Sequence, residues 1–90
     1  MNNARPKPLF SAQIRAARAL IRWSAEDLAR ASSVGVTTIR RAELTVEITS
    51  LTTANDQTIR RALELAGVEF IDENGGGPGV RLRKPPKPKR

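Results

Sequence analysis

Residues 34–43 read VGVTTIRRAE, and they hold side chains well suited to grip another molecule. Arg40 and Arg41 each carry a permanently charged, planar guanidinium whose donors fit a phosphate, a carboxylate or any two adjacent acceptors. Thr37 and Thr38 add hydroxyls that both donate and accept. On a helix over 36–43, Val36, Ile39 and Ala42 point one way while Thr37, Arg40 and Arg41 point the other. The same pattern describes the wet side of any amphipathic helix, and the doublet recurs as Arg60-Arg61. Residue type alone leaves gripping and solvation both open.

Other chemistry lacks its residues. With no histidine and no cysteine, the commonest general base and the thiol nucleophile are both missing. Asp72, Glu73 and Asn74 stand beside three glycines, but the spaced ligands and closing bidentate Glu of a calcium loop are absent. Those glycines also lack the Lys-Ser/Thr of a phosphate-binding loop. The expectation is no enzyme, no metal site, no cofactor and no disulfide framework.

The net charge of +7 is unevenly spread. Residues 1–10 contribute +2 and residues 81–90 contribute +6, so residues 11–80 net −1. Within that span residues 11–44 hold six arginines against three acids, whereas residues 45–80 hold two against six. A polyanion would therefore be met by the first half and the two ends. The ends, 1–10 and 84–90, are rich in Pro and Lys and poor in apolar residues, so a flexible basic arm and a disordered basic tail are expected, serving either to track phosphates or simply to solubilise. No run approaches the roughly 18 apolar residues of a membrane span, and MNNARPKP lacks the apolar stretch of a secretory signal. A soluble cytoplasmic protein with no membrane partner is expected.

The elements that must position these residues read as four helices and a hairpin. Ser11 is placed to cap a helix over 12–22, with Ile14, Ala17, Leu20 and Ile21 on one side and Arg15, Arg18 and Arg22 on another. Ser24 with Asp27 three residues on starts a second helix over 25–32, buried at Leu28 and Ala29. Trp23 falls between the two helices and packs under their junction. The third helix has four β-branched residues in a row, so tertiary packing must hold it. After a connection over 44–51, Thr52 or Thr53 caps a fourth helix running to Ala66, with Ile59, Ala62, Leu63 and Ala66 as its stripe and Gly67 as its stop. VEFI at 68–71 and VRLR at 80–83 then alternate in twos, predicting a β-hairpin over 67–83 that must lie on the helices or pair with a second copy.

The segment SAEDLARASSVGVTTIRRAE, residues 24–43, resembles the helix-turn-helix of the phage-repressor and Cro-like family, also called the XRE type. Small Ala29 at the helix crossing, a turn over 32–34, and Val34 and Ile39 under the second helix carry the resemblance. With the flanking helices it spans roughly 11–66, and the tail AGVEFIDENGGGPGVRLRK is similar to tails of short alphaproteobacterial regulators of this kind. The resemblance implies a mainly α, lambda-repressor-like bundle of four helices with a helix-turn-helix over 11–66, followed by the C-terminal β-hairpin. It implies a sequence-specific double-stranded DNA-binding transcriptional regulator, a repressor, cytoplasmic and nucleoid-associated, acting as a homodimer on an inverted repeat. Gly35, Val36, Thr37, Thr38, Arg40 and Arg41 would face the DNA, with Ser24, Ala25, Arg5 and Lys7 as auxiliary phosphate contacts and Arg18 paired with Glu43. On that footing the arginine doublet is for gripping.

The chain departs from the family pattern where Ala25 replaces a phosphate-holding Gln, Ser33 a turn Gly, Gly35 a capping Ser or Thr, and Ala42 a larger aliphatic. Two alternatives fit the same residues: an antitoxin that also binds a protein partner through the acidic second half, or a protein-interaction module that keeps the fold without DNA binding.

Overall fold

A computed structural model describes residues 7–83. Its order is α1 (Ser11–Ile21), α2 (Ala25–Ser32), α3 (Val36–Leu44), α4 (Thr53–Leu65), β1 (Val68–Ile71) and β2 (Gly79–Leu82). Two of the helix starts, those of α2 and α4, have a local side-chain cap. Asp27 N–H donates to Ser24 Oγ at 3.0 Å and Ser24 N–H to Asp27 Oδ2 at 2.9 Å, closing the reciprocal cap of α2. Thr52, not Thr53, caps α4 by accepting from Asn55 N–H at 3.1 Å. At α1 the expected cap is corrected. Phe10 is the N-cap and has no side-chain acceptor to offer, while Gln13 reaches back to accept from Phe10 N–H at 2.9 Å. Ser11 is instead fully buried and donates its hydroxyl to Thr45 C=O.

The core is Ile14, Leu28, Ile39, Ile59, Leu63 and Val68, joined by Leu9. Leu9 is wholly buried, its N–H donating to Asp56 Oδ2 at 2.8 Å and its C=O accepting from Thr49 N–H at 3.1 Å. The arm expected over 1–10 is thus corrected: Leu9 and Phe10 belong to the fold, because a buried Leu gains about 1.5–3 kcal/mol and Phe10 makes a bridge to Ile48. The remaining arm, 1–6, and the tail, 84–90, lie outside the described residues. Leu20, expected inside, is exposed, while Trp23 is half-buried against the core as expected.

Two turns use left-handed backbone at non-glycine residues, Arg22 at φ 59° and Ser33 at φ 61°. Each costs about 1 kcal/mol or more, offset at the turns by Trp23 N–H on Arg18 C=O at 2.9 Å and Ser33 N–H on Ala29 C=O at 2.8 Å. Gly67, at φ 107°, stops α4 where an L side chain would be strained.

β1 and β2 form an antiparallel pair with Val68 opposite Leu82 and Phe70 opposite Val80. The second strand starts one residue earlier than its alternation suggested, at Gly79. The hairpin lies on α1 and α4, and buried Gln13 donates Nε2 to Gly79 C=O at 3.1 Å. A single chain therefore supports its own hairpin, and a second copy is not required for it.

Candidate functional site

The capped start of α2 and the packing of Leu28, Val34 and Ile39, all buried, fix α3 against α2. The turn between them is tied locally: Ser32 Oγ donates to Leu28 C=O at 2.7 Å and accepts from Val34 N–H at 3.2 Å. Gly35 is the N-cap of α3 and supplies no side-chain acceptor. The first-turn N–H groups at Val36, Thr37 and Thr38 therefore lack a helical partner, and Gly35 and Thr37 are exposed. A β-carbon at Gly35 would meet nothing within 4 Å, so space does not demand glycine there.

The other end of α3 is held by α1. Arg18 grips Glu43 with two bonds, Nε to Oε2 at 2.7 Å and NH2 to Oε1 at 2.8 Å, and its third arm donates to Trp23 C=O at 2.8 Å. The Glu43 side chain is 9% exposed and that of Arg18 22%. Bonding to Glu43 raises the Arg18 pKa against the opposing effect of burial. Arg15 adds a bond to Glu43 C=O at 2.6 Å. Sequence reasoning did not assign that role to Arg15, although its place one turn before Arg18 on the same face was the available signal.

The arginine doublet is divided by the fold. Arg40 pairs with Glu26 in the first turn of α2. The Glu26 carboxyl is held below its usual range, first by a hydrogen bond from its own backbone N–H and then by the Arg40 charge. Arg41 is exposed and has no ion-pair partner among the described residues. It lines a shallow hollow of about 110 Å³ with Thr38, Ser50, Thr52 and Asn55, between α3 and the start of α4. Arg30 is taken by Asp27. The three acids of residues 11–44 thus consume three of its six arginines, leaving Arg15, Arg22 and Arg41, of which Arg41 alone is on α3.

The other expected contacts fall as follows. Val36 is half-buried against the core. Thr37 is exposed and Thr38 half-buried. Ser24 is exposed but its hydroxyl is used by the α2 cap. Ala25 is 8% exposed, its methyl turned inward, so its N–H is what it could offer. Arg5 lies outside the described residues. Lys7 is not beside α2 and α3: its C=O accepts from Arg60 NH2 at 2.6 Å, on α4.

What fold and site define is a small, mainly helical domain of four helices and a hairpin that presents one short helix outward, braced at both ends. Neither a protein-family model nor a curated protein sequence matches the chain. No helix among the described residues is long and apolar enough to cross a membrane.

Proposed function

We propose that the chain is a sequence-specific, double-stranded DNA-binding transcriptional regulator, a repressor of the XRE helix-turn-helix type, which lays the N-terminal half of α3 in the major groove. The single observation that carries this reading is the outer flank of α3: exposed Thr37 and Arg41, with open first-turn N–H groups, on a helix whose core side is fixed. A guanidinium there can bond bidentately to guanine O6 and N7 or clasp a phosphate. The hairpin, which packs on α1 and α4, leaves that flank uncovered. Arg41 is the arginine assigned to reading, and Arg40 the one held in reserve by Glu26.

An unbiased selection of bound duplexes, followed by anisotropy titration of the selected and random sequences, tests this. Arg41→Ala is expected to cost about 1–3 kcal/mol on the selected sequence, the worth of one bidentate base contact, and much less on random duplex. Equal losses on both would reduce Arg41 to a phosphate contact, and no selected sequence would sink the reading.

A second reading, a protein-interaction module, is favoured by one observation. Leu44, Val46 and Ile48 are 82%, 92% and 50% exposed beside the end of α3. In a homodimeric regulator the same aliphatics serve the two-fold partner, which keeps DNA binding and assembly in one molecule.

A further inference from the structure

The chain carries a second cluster of arginines that the α3 face does not use. Arg60, Arg61 and Arg83 stand on α4 and the end of the hairpin, and Lys7 joins them through its C=O bond to Arg60. Arg60 is fixed in place, its guanidinium 5.1 Å from the centroid of the Phe70 ring. Arg83 is fixed by donating to Glu64 C=O at 2.9 Å. Arg61, Glu64, Leu65 and Arg83 line an open hollow of about 280 Å³. None of the four cations has an ion-pair partner among the described residues. Glu64 is the acid lining the hollow, whereas Asp56 is buried on Leu9 and Glu69 is bonded to Arg81, its charge also reaching Arg83.

This flank is not a continuation of the α3 face. At about 100° per residue, Asn55 and Glu64 lie on opposite sides of α4, and Asn55 is the one that lines the hollow with Arg41. Arg61 also lies about 12 Å further along the axis than Thr53. Both ends of the described chain arrive here, at Lys7 and Arg83. The sequence continues beyond them with Arg5 on one side and Lys84, Lys87, Lys89 and Arg90 on the other. Among the described residues, Lys7, Arg60, Arg61 and Arg83 thus gather on one flank, faced by Glu64 and by the charge of Glu69 near Arg83.

We infer that this flank of α4, centred on Arg61 and Arg83, is a second docking surface for the sugar-phosphate backbone of DNA, separate from α3 and indifferent to base sequence. The inference rests on the proposed function only in its choice of DNA as the polyanion. Guanidinium groups on separate elements, with an open hollow between them, can each meet a phosphate, whereas a folded acidic protein would need an apolar anchor site beside the charge. Leu65, 80% exposed, is a protrusion and forms no such site.

The test is the salt dependence of binding to random duplex by the full chain. Each phosphate contact contributes about 0.9 to the slope of log K against log salt. Arg61→Ala with Arg83→Ala is expected to lower the slope by about 1.8, and by the same amount in an Arg41→Ala background, with an unchanged melting temperature. Arg61→Lys with Arg83→Lys is expected to restore the slope. An unchanged slope in the double alanine variant overturns the inference, as does a decrement that vanishes when Arg41 is absent. Loss of binding to polyglutamate with an intact DNA slope also overturns it, in favour of an acidic protein. A fallen slope together with an Arg41→Ala variant that still discriminates the selected sequence would leave this surface standing and remove the α3 reading.

Discussion

At the scale of single residues, the ion pair between Arg40 and Glu26 sets how much charge the outer face of α3 can offer. Both side chains are half or more exposed, 56% and 52%, so the pair adds little to stability. Its effect is on charge: Glu26 cancels Arg40 beside the proposed reading surface. Replacing Glu26 with Gln removes that cancellation and frees the guanidinium. Glu26→Gln is therefore expected to tighten DNA binding and steepen the salt slope by about 0.9, one added phosphate contact, with the melting temperature nearly unchanged. Anisotropy titration at several salt concentrations checks it, and weaker binding would mean that Glu26 orients Arg40 rather than restraining it. The arginine doublet was visible in the sequence as a candidate; its division was not. Glu26 and Arg40 are far apart in the chain and meet only because α2 and α3 cross at a particular angle, which residue types do not specify.

At the scale of elements, α3 is a poor helix in isolation. Val36, Thr37, Thr38 and Ile39 are β-branched in succession, and its N-cap is a glycine. What holds it is burial of Ile39 and Ala42 together with the Arg18–Glu43 clamp. Removing Arg18 leaves the Glu43 carboxylate, 9% exposed, without its counter-charge. Arg18→Ala is expected to cost about 3 kcal/mol, the lower end for such pairs because Arg18 keeps some solvent. In a domain this small that lowers the melting temperature by about 12 °C or more. A double change to apolar residues, Arg18→Met with Glu43→Leu, is expected to recover most of the loss. Thermal and denaturant unfolding of the three chains decide it, and a single variant as stable as the parent removes the clamp from the account. Helix boundaries were legible because Ser24, Asp27, Thr52 and Gly67 act through local hydrogen bonds or local backbone geometry. The start of α1 was less so: Ser11 is a good capping residue by type, but its hydroxyl is bound by Thr45, thirty-four residues away.

At the scale of the whole molecule, the order of four helices and a hairpin follows from periodicity, while the anchoring of the chain start does not. Residues 1–10 look solvated by composition, yet Leu9 is fully buried, and buried Asp56 accepts its N–H. A single Leu-Phe pair carries no period, so its destination depends on a socket built by α4 and the segment before it. That segment also turns Val46 and Ile48 outward, beside exposed Leu44 at the end of α3. The three lie within five residues of one another in the chain, and exposed aliphatics of this kind favour burial against a partner. Because the hairpin is satisfied within one chain, this cluster is the contact expected in the proposed homodimer. Leu44→Asp with Val46→Asp is expected to convert a dimer into a monomer by sedimentation velocity, with folding intact since both side chains lie outside the core. Affinity for an isolated half-site should hold, while affinity for the full inverted repeat should fall by about a hundredfold or more, the loss of avidity between two linked sites. If parent and variant sediment alike, the aliphatics serve something other than a second copy, and the two-fold reading of the operator loses its physical basis.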